Sequence, residues 1–306
     1  MNHPSLNVSS LATPSSSSAI GILGLGSIGC LIASQISSSV KCYALARGNS
    51  SHFNFTLHNG DLSTKFELPA WQGESLNILL VCCKAPQCLS ALQEWQRALK
   101  SNTQIVLLQN GFGQQDEIHQ LYPDNALFAA STTEGANRIS REHIQYAGKG
   151  TTQWGYYAGP KEDLKLDLSR LSGTHIEQDN IKQILLDKLA INAVINPLTV
   201  IYDCPNGELL TNKKAYSEFK ALCFEIQDFY NQMQWSLSFE LLQRATSIAQ
   251  ATQHNISSML QDVRNHQVTE IDYINGYLVN KAIENNIPVP INQLLHSKIK
   301  SLRQDD

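Results

Sequence analysis

Three polar residues, Lys188, Asn192 and Asn196, recur every fourth position in the segment LLDKLAINAVINPLT, which places them along one stripe of a helix. Their neighbours Leu185, Leu189, Ile195 and Leu198 are apolar, so the stripe interrupts a stretch otherwise suited to burial. Buried polar groups need partners, and either solvent or a ligand can supply them. A lysine ammonium can polarise a carbonyl oxygen and then protonate it, while amides give directional hydrogen bonds to a small oxygen-rich molecule. At the ordinary lysine pKa of about 10.4, Lys188 is charged at neutral pH. Pro197 lacks the helical N–H, so the stripe is expected to end or kink beside Asn196. Asn206-Gly207, in CPNGEL, has on its own terms the composition of a turn. Further on, Ser257 and Ser258 open SSMLQDVRN, and Thr269-Glu270-Ile271-Asp272 carries a capping pattern expected to open the next helix. Glu270 then sits near a positive helix end, where dipole complementation and catalysis explain it equally well.

A second constellation lies near the start. Gly24-Leu25-Gly26-Ser27-Ile28-Gly29 is a G-x-G-x-x-G between an apolar run, AIGIL, and an apolar-periodic stretch, CLIASQI. In that strand–loop–helix context the first glycine permits a tight turn, the second lets backbone approach a pyrophosphate, and the third lets helix and strand pack closely. Free N–H groups of the helix N-terminus hold the anion. At the end of the next strand, where an NAD-binding chain places an Asp or Glu on the ribose, this one has Ala46-Arg47-Gly48-Asn49. A guanidinium there can pair with a 2′-phosphate, so NADPH rather than NADH is the expected cofactor. Lys84 and Asn110 each directly follow an apolar run, at the strand ends where open parallel sheets bind ligands.

The elements that must position these residues follow from the apolar pattern. Runs at AIGIL, VKCYALA, NILLVCC, TQIVLLQ and NALFAAS, separated by helix-like or loop segments, fit buried parallel strands alternating with helices. From Gly135 to about Thr174, HIQYAG and TTQWGYYA alternate as antiparallel strands do, as an edge extension of the same sheet. From Asn180 onward the apolar spacing turns helical. The fold class expected is therefore α/β: a Rossmann-type dinucleotide-binding domain over 19–178, followed by a mainly α-helical domain over 179–306. The Ser-rich 1–18 reads as a disordered tail, and 306 residues suggest two domains with separate cores.

A net charge of −4 lacks the basic surplus that nucleic acid or anionic membrane favours, and no run of about 18 apolar residues proposes a membrane span. Seven cysteines without C-x-x-C pairing read as reduced core thiols of a cytoplasmic protein, and nothing has metal-ligand spacing. A monomer or homodimer acting on a small molecule is expected.

From about residue 20 to 300 the chain resembles the ketopantoate reductase (2-dehydropantoate 2-reductase) family. The resemblance rests on GLGSIG, KAPQ, LQNGFG, STTEGA, KLAINAVINPLT, CPNGEL and NISSMLQDVRNHQVTEIDYING, the last three being long and specific. It implies NADPH-dependent reduction of ketopantoate to pantoate in the pantothenate and coenzyme A pathway. It implies Lys188 as general acid, Asn192, Asn196, Asn206 and Ser258, with Ser257 beside it, around the substrate, and Glu270 beside cofactor and substrate. Lys84, Asn110 and Ala136 would line the cofactor. Glu134 stands where the family often has a histidine, and Pro86 where it usually has an aromatic residue. A reductase of another 2-keto acid, or a non-catalytic NADPH sensor, would share much of this pattern.

Overall fold

The computed structural model describes residues 19–302 except 37 and 49; the stretch 1–18, read above as a tail, lies outside them. The first half contains strands β1 (Ile20–Leu23), β2 (Cys42–Leu45), β3 (His52–Asn59), β4 (Leu62–Pro69), β5 (Ile78–Val81), β6 (Gln104–Leu107), β7 (Leu127–Thr132), β8 (Gly135–Arg138), β9 (His143–Gly148), β10 (Thr152–Ala158) and β11 (His175–Glu177). Helices α1 (Ser27–Gln35), α2 (Ala85–Glu94) and α3 (Gln114–Leu121) lie among them. The rest is helical: α4 (Ile181–Tyr202), α5 (Glu208–Thr211), α6 (Lys213–Gln232), α7 (Leu241–Ala251), α8 (Ser258–Arg264), α9 (Asn275–Glu284) and α10 (Pro290–Ser301).

Seven strands form the main sheet in the order β11-β10-β7-β6-β5-β1-β2, parallel from β7 to β2. All four residues of β1, β5 and β6 are buried, as parallel strands covered on both faces require. The chain leaves β1 toward β2 on one side and returns to β5 on the other. That reversal opens a crevice beyond the carboxyl ends of β1 and β5, the place where open α/β sheets bind ligands.

The expected edge extension is half of what 135–174 does. β10 joins β7 antiparallel and β11 joins β10, but β8 and β9 belong to a separate four-stranded sheet, β4-β3-β9-β8. Its other half is the β3–β4 hairpin, turning at Asn59–Leu62, in a stretch read from sequence as helix or loop. Phe55 and Ile144 of this sheet are buried in one apolar cluster with Ile32 of α1, so the small sheet roofs the dinucleotide helix.

Two apolar clusters are present, and they do not divide at the boundary between the halves. One lies wholly in the first half, and the other runs from Leu23, Val81 and Leu107 of the main sheet through Leu185, Leu189 and Val194 of α4 to Phe219, Leu278 and Leu295 of the helical half. Among the described residues α4 is the one helix long and apolar enough to cross a bilayer, and 67% of its most apolar window is buried against protein, as a central core helix requires.

Of the two expected outcomes at Pro197, an end or a kink, α4 does not end there: the helix continues to Tyr202. A proline at this position frees the carbonyl four residues earlier. That carbonyl, on Ala193, accepts from Asn275 Nδ2 at 2.9 Å, and the same amide nitrogen reaches Asn292 Oδ1 at 2.8 Å. A buried side chain from α9 thus replaces the missing backbone donor.

Candidate active site

The crevice is a cleft of about 1950 Å³ whose walls come from the glycine loop, the ends of β5 and β6, β8, α4 and the segment 254–270. This exceeds the roughly 300–1,000 Å³ typical of one small ligand, leaving room for a dinucleotide beside a small acid.

At its head, β1 turns through Gly24 at φ +93°, where a Cβ would come within 2.4 Å of the Cys83 backbone nitrogen. A Cβ on Gly29 would meet the Gly24 carbonyl at 2.1 Å. Both glycines are demanded by close backbone approach, whereas a Cβ on Gly26 would meet no protein atom within 4 Å and would project into open space. Helix α1 begins behind it at Ser27 with no capping side chain and no acidic residue in its first turn. Its orphan N–H groups and positive end therefore remain free for an anion, so these residues fit the pyrophosphate of a dinucleotide. Leu25, Ser27 and Ile28 line the same wall, and Ala136 lines it from β8.

Arg47 lies at the end of β2, as expected, but its guanidinium meets a carboxylate: Nη2 is 2.6 Å and Nε 3.0 Å from Glu94 of α2. Both residues line the cleft and are well exposed to solvent.

Lys84 caps α2, and its ammonium crosses to the helical half, donating to Asp262 Oδ1 at 2.6 Å and to the Val268 carbonyl at 3.0 Å. Pro86 occupies the first turn of α2, where its missing N–H costs no helical bond. Glu134 is buried, accepting from Gln35 Nε2 at 2.6 Å and from Tyr146 OH at 3.2 Å.

The chemistry concentrates where the halves meet. Glu270 accepts from Asn110 Nδ2 at 3.0 Å and from the Ala85 backbone N–H at 3.2 Å. Burial pushes its carboxyl up, and these two donors pull the other way. The helix expected to open here is a single 3-10 turn, Ile271–Tyr273, with α9 following. Lys188 projects from α4, and its ammonium donates to the Thr132 carbonyl at 2.7 Å. Burial lowers its pKa from 10.5 to about 8, and the Glu270 charge acts in the opposite direction. The sequence alone gave it an ordinary lysine pKa; desolvation is the difference.

Asn192 and Ser258 face the cleft beside Lys188. Asn196 and Asn206 are more deeply buried, at 7% and 8% exposure. Asn206 Nδ2 donates to Thr252 Oγ1 at 2.8 Å, while its Oδ1 is buried with no partner among the described residues. Ser257 differs from its neighbour: it caps α8 by accepting from the Leu260 N–H at 3.1 Å, and its hydroxyl pairs with Thr199 Oγ1 at 2.6 Å. Of the two serines, Ser258 is the one on the cleft wall. Sequence reasoning gave no role to Glu94, Thr132 or Asp262, each brought to the site by tertiary contact, although Thr132 and Asp262 lie within the motifs STTEGA and NISSMLQDVRN.

A Rossmann-type sheet, a free helix N-terminus behind a glycine turn, and a half-buried lysine at the seam with a helical domain define a two-domain dinucleotide-dependent oxidoreductase. Residues 20–159 match the family model Ketopantoate reductase PanE/ApbA, and 180–303 match Ketopantoate reductase PanE/ApbA C terminal. The 2-dehydropantoate 2-reductase of Shigella flexneri is 35% identical over 231 residues, covering 73% of each chain. That of Bacillus subtilis is 28% identical over 302 residues, covering 94% of this chain and 98% of the other. In structure, the probable 2-dehydropantoate 2-reductase of B. subtilis superposes with a TM-score of 0.79 at 25% identity over 93% of this chain and 99% of that one. D-mandelate dehydrogenase in ternary complex with NADH and anilino(oxo)acetate shares the fold, with a TM-score of 0.82 at 20% identity over 94% and 99%. The chain belongs to the ketopantoate reductase family.

Proposed function

We propose that this chain reduces 2-dehydropantoate (ketopantoate) to (R)-pantoate with NADPH, the step that feeds pantothenate and coenzyme A synthesis, in a reducing compartment such as the cytoplasm. The observation that carries the reading is Lys188: a lysine depressed by burial, opposite a held carboxylate, in a cleft that also opens on the Gly26 anion site.

In this reading the backbone from Gly24 to Gly29 binds the pyrophosphate and Arg47 turns from Glu94 to the 2′-phosphate. Asn110 and Ala136 flank the remainder of the cofactor, and Lys84 anchors the wall. When bound, NADPH supplies the hydride to the keto carbon. Lys188 does the complementary work at the oxygen. Its ammonium, largely protonated at pH 7, polarises the carbonyl, and its proton follows as negative charge develops. Such positioned acid catalysis contributes about 10²–10⁴ in rate. The Thr132 carbonyl fixes the direction of the Nζ, and the Glu270 charge keeps it protonated. Asn192, Asn196, Asn206 and Ser258 offer neutral directional partners for the carboxylate and hydroxyl of a small acid. Ser257 supports this wall by capping α8.

The test is NADPH oxidation by purified protein with ketopantoate, run beside NADH and two other branched 2-keto acids. Strong preference for NADPH with ketopantoate is expected. Turnover confined to another 2-keto acid would keep the chemistry and overturn the substrate; binding without turnover would overturn the enzyme reading.

A further inference from the structure

Two cysteines bracket the start of α2. Cys83 follows β5 and lines the cleft, whereas Cys88 is buried one turn into the helix. Their sulfurs stand 3.7 Å apart, the Cys83 thiol donating to Cys88 Sγ, while the Cys88 thiol donates to the Cys83 and Lys84 carbonyls at 3.7 and 3.5 Å. The environments are opposite in effect. The contact with Cys88 pulls the Cys83 thiol below the ordinary range against the opposing push of burial, while the same contact, with burial, pushes Cys88 far up. The other five cysteines are all raised by burial. Of the two thiols on the cleft wall, Cys82 and Cys83, Cys83 is the one biased toward thiolate, the nucleophilic form, and the one with a second thiol in contact.

We propose that Cys83 and Cys88 are a peroxide-sensitive, thiol-reversible disulfide pair that switches the cofactor cleft off. The Cys83 thiolate attacks hydrogen peroxide, breaking the O–O bond to give a sulfenic acid and hydroxide. The Cys88 sulfur then displaces the sulfenic oxygen as water, its own proton and the sulfenic S–OH supplying that water, and the S–S bond forms. Two cysteines are oxidised and one peroxide is reduced; two equivalents of an added thiol reverse the change by exchange. The sulfurs must close from 3.7 Å to about 2.0 Å, and the backbone between them carries the site. The Cys83 nitrogen lies against Gly24, the Ala85 N–H holds Glu270, and Lys84 spans to Asp262. Pulling the strand end onto the helix disturbs all three at once.

Trypsin cuts after Lys84, which separates the pair onto peptides 66–84 and 85–97. After brief peroxide treatment of the full chain, mass spectrometry should show these two peptides joined, two hydrogens lighter than their sum, and separated again by dithiothreitol. The joined pair should persist in Cys82→Ser and vanish in Cys83→Ser and Cys88→Ala. Absence of the joined pair in the wild type, or its survival in Cys83→Ser, overturns the proposal. NADPH-dependent activity should fall at least tenfold on oxidation, return with dithiothreitol, and resist peroxide in Cys88→Ala; full activity in the cross-linked wild type overturns the switch. This activity limb rests on the proposed reaction, whereas the cross-link does not, so failure of one is distinguishable from failure of the other.

Discussion

Replacing Lys188 by Met keeps the length of the side chain and removes its charge, and the consequence depends on pH. Desolvation holds the folded lysine down to about 8, against the ordinary 10.5. A gap of about 2.5, at about 1.4 kcal/mol per pH unit, means that keeping the ammonium buried costs roughly 3 kcal/mol at neutral pH. The sign follows from proton linkage. Below pH 8 folded and unfolded chains both hold the proton and the cost is present in full. Between 8 and 10.5 the folded chain releases it first, so wild-type stability rises with pH across that window. Loss of the Thr132 hydrogen bond weighs on Lys188→Met at every pH. The decisive quantity is therefore the change in the variant-minus-wild-type difference, which should fall by roughly 2–3 kcal/mol from pH 7 to pH 10 in urea unfolding. The same titration governs the rate: kcat/KM for ketopantoate reduction should drop to about a tenth between pH 7 and pH 9, and Lys188→Met should be inactive at both. A stability difference unchanged between pH 7 and 10, or a rate flat to pH 9.5, would refute the claim that a desolvated Lys188 is the proton donor.

Gly26→Ala should fold with an unchanged melting temperature, because its Cβ meets no protein atom within 4 Å, yet bind dinucleotide at least tenfold more weakly; calorimetric titration with NADP⁺ checks this. Arg47→Ala should raise KM for NADPH by about 10–100-fold, the value of a charge-assisted phosphate contact, and leave KM for NADH nearly unchanged. Equal losses with both cofactors would remove Arg47 from the phosphate role.

Much of this site was legible because its signals are local. The glycine turn and the lysine–asparagine stripe are short-range patterns with a single geometric meaning, and the strand–helix context confirmed the first. The β3–β4 hairpin also has a local signal, since FNFTLH and STKFEL alternate around an Asn-Gly turn. Other features were not available to the sequence. The partner of Arg47 lies 47 residues away, and that of Lys84 lies 178 residues away. Ser257 and Ser258 are adjacent and chemically identical, so only the direction of α8 divides capping from cleft. Pro197 does not end α4 for a related reason: the rule that proline ends a helix assumes the freed carbonyl finds no donor, and here a distant asparagine supplies one.

That donor has a consequence for how the protein comes into being. Asn275 lies 82 residues downstream of the carbonyl it satisfies. On a ribosome adding about 5–20 residues per second, Asn275 is synthesised roughly 4–16 s after Ala193. During that interval the helix that carries Lys188, Asn192 and Asn196 has a break in its backbone bonding and much of its apolar surface uncovered. The dinucleotide half is by then already made. The nascent chain thus acquires the strands and glycine turn of its cofactor site first, and the donor that completes α4 only with α9.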